Sequence, residues 1–249
     1  MRIFVTGATG YIGRVVTEKA VAEGHDVHGL SRTEEGDARL KALGATPVRG
    51  DLTTLDVLRR ESAQADAVLH LAFIHDFSID YEEILRTDAA AVDALAEPLL
   101  GTGKALVISS GTAGVQPDPA GGETTEEMPL AENRPLSGRA RSERHALSLS
   151  EKGVRVSSIP LPPYVYGRAG SGFLPLLMQM AVKNGEAAYI NEGSLRTSDV
   201  YVDDAATLYL LAAKGAKPVK SSTALHRQPS PQRKWPKRSE RYLIFQCAQ

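Results

Sequence analysis

The stretch RIFVTGATGYIGRVVTEKA, Arg2 to Ala20, decides the fold. Its opening residues are apolar and partly β-branched, as in a buried strand, and Gly7, Gly10 and Gly13 follow at once. Ile12, Val15, Val16 and Ala20 then share one face of a helix. The three glycines serve different ends. Gly7 turns the chain, Gly10 lets the backbone approach a pyrophosphate, and Gly13 lets helix and strand pack closely. Thr6, Thr9, Tyr11 and Ile12 complete the loop. Free N–H groups at the helix start, at the positive end of its dipole, are suited to phosphates. A second strand, HDVHGLS (25–31), falls in register, so the unit predicts a dinucleotide site. The alternative is a fold of this kind that has lost its cofactor.

The same alternation continues outward. Strand-like segments recur at 45–50, 65–73, 104–110 and 154–160, separated by amphipathic stretches at 11–23, 34–43, 54–63, 80–100 and 137–152. Alternating β and α at this spacing predicts an α/β fold, a doubly wound parallel sheet of the Rossmann type with ligands at the carboxyl ends of its strands. The expected division is a dinucleotide-binding domain over 1–160, a small and shortened substrate lobe over 161–213, and a tail over 214–249.

Composition sets the other bounds. A chain of 249 residues with 42% hydrophobic content buries one substantial core. The single cysteine, Cys247, excludes a disulfide framework, and the six His do not cluster as metal ligands, so no metal is expected. No signal-like leader and no membrane-length apolar run is read, which predicts a soluble, cytoplasmic protein. The net charge of −1 conceals an asymmetry: residues 214–249 carry nine Lys and Arg against one Glu. That Pro- and Ser-rich tail is expected to be disordered. A basic arm can meet an acidic partner, but nucleic acid is not the expected ligand.

The end of the second strand bears on which dinucleotide binds. An Asp or Glu there would accept from a ribose 2′-OH. The chain has Ser31 and Arg32 instead, and the guanidinium fork of Arg32 can pair with a 2′-phosphate, which favours NADP(H) over NAD(H). Arg32 can equally be an ordinary exposed loop residue. Asp51 in RGDL can accept from an adenine amino group or simply cap the helix near Thr54.

The chain resembles the extended and atypical short-chain dehydrogenase/reductases, the NAD-dependent epimerase/dehydratase family. The motifs that carry the resemblance are TGxxGxxG at Thr6 to Gly13, GDL at Gly50 to Leu52, HLAF at His70 to Phe73, ISSGT at Ile108 to Thr112, LPPYVYG at Leu161 to Gly167, and VYVDDAATLY at Val200 to Tyr209. The resemblance implies cofactor contacts from Leu52, Leu71, Ala72, Phe73, Leu161 and Pro162. It also implies a small-molecule substrate, and often a homodimer through the helices at 80–100 and 137–152. Ser110, with Thr112 beside it, matches the hydroxyl that orients a substrate carbonyl or alcohol. Arg196 matches a position that often contacts an anionic group of the substrate.

The family's tyrosine and lysine are absent. Their positions match Arg139 and Glu143, no Tyr lies between Tyr81 and Tyr164, and no Tyr is followed by Lys at i+4. The string from Arg139 to Glu143 resembles an atypical subgroup that keeps the cofactor motifs. Arg139 and Glu143 can also form a plain i, i+4 ion pair. Other candidates for the acid–base role are His75, which titrates near neutrality, and Tyr164 and Tyr166, in the loop that the family sets against the nicotinamide. Arg139 can polarise a carbonyl as a fixed cation. An exposed loop His and packed Tyr residues are the ordinary alternatives. A shortened lobe would leave the cleft wet. Two functions follow: an NADP-dependent oxidoreductase or epimerase-like enzyme, or a non-catalytic NADP(H)-binding sensor or scaffold.

Overall fold

The computed structural model describes residues 1–76, 78–120, 128–130, 137–171, 173–187 and 197–215. Arg196 and all of the tail beyond Gly215 lie outside the described residues.

Five βα units open the chain. They comprise β1 (Arg2–Thr6), α1 (Tyr11–Ala22), β2 (Asp26–Ser31), α2 (Glu34–Ala42), β3 (Thr46–Arg49), α3 (Leu55–Gln64), β4 (Ala67–His70), α4 (Tyr81–Ala96), β5 (Ala105–Gly111) and α5 (Ser137–Ser148). Then β6 (Arg155–Leu161) closes a six-stranded parallel sheet ordered β3-β2-β1-β4-β5-β6. The order reverses between β1 and β4, so the crevice for a ligand opens at the carboxyl ends of those two strands. Strand β4 stops at His70, three residues earlier than its apolar run predicts, and the rest of HLAF leaves the sheet as a loop. Pro160 is tolerated because β6 is an edge strand.

The chain then forms β7 (Tyr164–Gly167), β8 (Gly170–Ser171), α6 (Leu174–Asn184), β9 (Asp199–Tyr201) and α7 (Val202–Lys214). The three strands make a second sheet ordered β8-β7-β9. Helix α6 buries none of its residues. Helix α7 returns to the main sheet, where Val202, Ala205, Ala206, Tyr209 and Leu210 join Ile3, Val5, Val15 and Val16 in one core. A second core on the opposite face holds Phe4, Leu58, Leu95, Leu106 and Val156. Both faces of the sheet are therefore covered, which explains why its strands read as continuous apolar runs.

Candidate active site

The glycine loop has the clearance its sequence predicts. Gly7 adopts φ +70, and a Cβ there would stand 2.8 Å from the Ala72 nitrogen. A Cβ on Gly13 would lie 2.0 Å from the Gly7 oxygen, which only glycine avoids. At Gly10 the single neighbour is the Gly7 oxygen, 3.1 Å away, so the outer side of the loop is open. Gly10 caps α1 with no side-chain hydrogen bond, and the first turn carries no acidic residue. The helix start thus has orphan N–H donors and a favourable dipole. A dinucleotide phosphate fits this cradle.

Thr6 ties the loop to β4: its hydroxyl lies 2.8 Å from His70 Nδ1 and accepts from the Ala72 N–H at 3.3 Å. The Tyr11 side chain turns elsewhere, its hydroxyl 2.7 and 2.8 Å from the carbonyl oxygens of Gly167 and Gly170, so it fastens the β7–β8 turn over α1. In that turn Arg168 and Ala169 hold φ of +48 and +57. Arg168 is committed to Asp203 and Glu18, at 2.6 and 2.7 Å.

At the end of β2, Ser31 is buried and donates to the Thr33 carbonyl, while Arg32 is exposed. Sequence reading missed Arg49, which donates to the Arg32 carbonyl at 3.1 Å and pairs with Asp37. Two guanidiniums therefore stand at this edge. Asp51 accepts on one oxygen from the Thr53 N–H, the Thr53 hydroxyl and the Thr54 N–H. Those bonds, led by the Thr53 hydroxyl, hold its carboxyl below the usual range. They close a turn ahead of α3 and do not cap it, since the N-cap residue is Thr54, which makes no side-chain capping bond. Leu52 is buried in the core, Leu71 is half-buried, and Pro162 is buried beyond β6. Leu161, at the end of β6, is half-buried.

The helix that lacks tyrosine and lysine sends its two replacements apart. Arg139 donates to the Ser109 carbonyl at 2.8 Å, lies 3.8 Å from Asp88 and covers the Phe73 ring at 3.8 Å. Glu143 is 3% exposed and accepts from the Ser158 hydroxyl at 2.5 Å. Ser158 lies 3.0 Å from the Ser110 hydroxyl at the end of β5. The plain i, i+4 pair is thus replaced by two separate connections into the sheet. Thr112 begins the short 3-10 turn after β5, half-buried.

His75 packs edge-on against Phe73 with ring centres 5.3 Å apart. Although it reaches solvent, the surrounding protein withdraws enough water from its ring to push its pKa down, and the Arg139 charge adds to this. Tyr166 packs edge-on against Tyr201, and Tyr164 is half-buried on β7. A phenol also reaches β5: Tyr209 of α7 lies 2.7 Å from the Ser109 hydroxyl. Its complete burial pushes its pKa upward, which makes it a poor base. A cavity of about 10 Å3 between the sheet edge and the helices α4 and α5 is lined by His70, Asp88, Ser109, Arg139, Ser142 and Glu143.

Sequence reading missed Ser158, Asp88 and the role of His70. The signals were present as polar residues in apolar stripes, Ser158 within VRVSSIP and Asp88 among Ile84, Leu85, Ala91 and Val92. Among the described residues no cluster of His, Cys, Asp or Glu suits a metal, and no helix is long and apolar enough to cross a membrane.

Comparison with known proteins places this geometry. The family model of the NAD dependent epimerase/dehydratase family matches residues 3–224. An uncharacterized protein of Schizosaccharomyces pombe is 41% identical over 212 residues, 85% of this chain and 70% of that protein. The 4-hydroxy-2-methyl-3-oxo-4-farnesyl-3,4-dihydroquinoline-1-oxide ketoreductase of Stigmatella aurantiaca is 30% identical over 226 residues, 86% of this chain and 65% of that enzyme. The solved UDP-glucuronic acid 4-epimerase of Bacillus cereus, in complex with UDP-glucuronic acid and NAD, superposes with a TM-score of 0.74 at 16% identity, over 92% of this chain and 78% of its own. Because the family match runs from β1 through α7, the chain belongs to the NAD dependent epimerase/dehydratase family.

Proposed function

We propose that this protein is an NADP(H)-dependent oxidoreductase that interconverts a carbonyl and an alcohol on a small molecule. The observation that carries this reading is the glycine-lined, side-chain-uncapped start of α1 at the switch point of the sheet, on the same edge as Ser110. Residues 1–160 hold the cofactor in this reading, and the chain after β6 supplies the substrate side, with α7 packed back on the main sheet.

Arg32 and Arg49 support the preference for a 2′-phosphate, since no carboxylate ends β2. When bound, NADP(H) supplies or accepts the hydride. The chain's own part is to hold the phosphates at the helix start, to orient the reacting oxygen at Ser110, and to move a proton there. Arg139 stays protonated, so it serves as a fixed charge rather than as a base. The 30% identity to a ketoreductase supports a ketone as the oxidised partner. A homodimer through α4 and α5 belongs to the same proposal.

The test is NADPH oxidation with a panel of small ketones, including ethyl acetoacetate and cyclohexanone. Ser110→Ala should lower kcat by about 10²- to 10³-fold, the usual cost of losing one oriented donor at the reacting oxygen, with cofactor affinity unchanged. Tight NADPH binding with no turnover of any ketone or alcohol would instead indicate a non-catalytic NADP(H)-binding protein.

A further inference from the structure

We propose that Ser158 and Glu143 form a buried proton relay behind Ser110, in place of the tyrosine and lysine that this helix lacks. The inference rests on the oxidoreductase reading, with the Ser110 hydroxyl facing the substrate oxygen.

The three side chains form one line from the sheet edge inward. Ser110 is 7% exposed, Ser158 fully buried and Glu143 3% exposed, with successive oxygens 3.0 and 2.5 Å apart. A carboxyl taken out of water needs a partner. The cation one turn earlier on the same helix does not supply it, because Arg139 is turned to the Ser109 carbonyl and Asp88. The carboxyl's partner is a hydroxyl, and that hydroxyl leads to the reacting edge.

A serine hydroxyl carries one hydrogen, so Ser158 cannot donate both to Glu143 and to Ser110. Two arrangements satisfy the geometry. With Glu143 ionised, Ser158 donates to Glu143 and Ser110 donates to Ser158, which leaves Ser110 lone pairs to accept from a substrate alcohol. With Glu143 protonated, every donor reverses and Ser110 donates to a substrate carbonyl. The direction of the chain is therefore set by the proton on Glu143.

The step balances in both senses. In oxidation, the substrate C–H bond breaks and its hydride goes to the oxidised nicotinamide, while the substrate O–H proton passes to Ser110. The Ser110 proton moves to Ser158 and the Ser158 proton to Glu143, giving a ketone, the reduced cofactor and a protonated Glu143. Reduction runs the same transfers backwards. In the proposal the proton leaves Glu143 through the small cavity that it shares with Ser142 and Arg139, whose volume of about 10 Å3 is at the lower limit for one water. The other titratable or charged groups around it are His70 on β4, Asp88 on α4 and Arg139 on α5.

The experiment uses NADP+ with the alcohol of ethyl acetoacetate, and with cyclohexanol, across pH. The wild-type oxidation rate should rise with pH through one ionisation. Glu143→Gln and Ser158→Ala should each lower kcat by about 10²- to 10⁴-fold, the range of general acid–base catalysis, and abolish that limb, with NADPH affinity unchanged. Ser158→Ala, which leaves the buried Glu143 carboxyl without its hydroxyl partner, should also lower the thermal midpoint. Without substrate, a slowly exchanging Ser158 hydroxyl proton should appear in the proton NMR spectrum, vanish in Ser158→Ala and move in Glu143→Gln. Variants that keep the wild-type rate, or that slow while retaining the pH limb, overturn the relay and leave the oxidoreductase reading standing. A wild type that binds NADPH yet transfers no hydride with any substrate overturns both.

Discussion

Asp88 illustrates what one residue does beneath this site. It lies in the apolar stripe of α4, where burial alone would raise its pKa, but the hydrogen bond with His70 and the charges of His70 and Arg139 outweigh burial and hold it below the usual carboxylate range. A depressed carboxylate stabilises the fold above its unfolded value of about 4, and that contribution fades as pH falls through the lower folded value. Asp88→Asn should cost about 1.5–3 kcal/mol at neutral pH, the worth of a hydrogen bond to a charged group. Urea unfolding should show the gap between wild type and variant narrowing in acid; a gap independent of pH would contradict this account. The glycines were legible from sequence because their requirement is local, a turn or a close approach within a few residues. The Glu143–Ser158–Ser110 line was not, because it joins α5, β6 and β5, whose register no local pattern states.

At the scale of elements, periodicity gave the five helices of the βα units and six strands close to their observed bounds. Helix 80–100 ends as α4 at Ala96 and continues as a 3-10 turn over Glu97–Leu99, because Pro98 cannot donate to the helix. Strand ends were less legible where apolar residues leave the sheet, as after His70. Helices α4 and α5 are laced together by Arg141 with Glu82 and by His145 with Asp93, so they present a preformed pair. Exposed Ala90 lies on the outer ridge of α4. If this pair is the dimer interface, sedimentation equilibrium should find a dimer, and Ala90→Arg should weaken it by tenfold or more in Kd, about 1.4 kcal/mol. A wild-type monomer at all concentrations would remove the dimer.

Across the whole molecule, alternation of strand and helix made the doubly wound sheet legible, since both faces must be covered and each crossover supplies one helix. The return of α7 onto α1, β4 and β5 was not legible, because only packing fixes where a lone amphipathic helix docks. Arg196 and the basic tail fall outside the described residues. The central proposal is that Gly7, Gly10 and Arg32 hold one cofactor, with Ser110 turned to the substrate. It is tested most directly by fluorescence titration of NADPH and NADH into the wild type and Arg32→Ala. The account predicts that NADPH binds the wild type at least tenfold more tightly than NADH, and that Arg32→Ala loses this advantage while still binding NADH. Binding of neither cofactor by the wild type would contradict it.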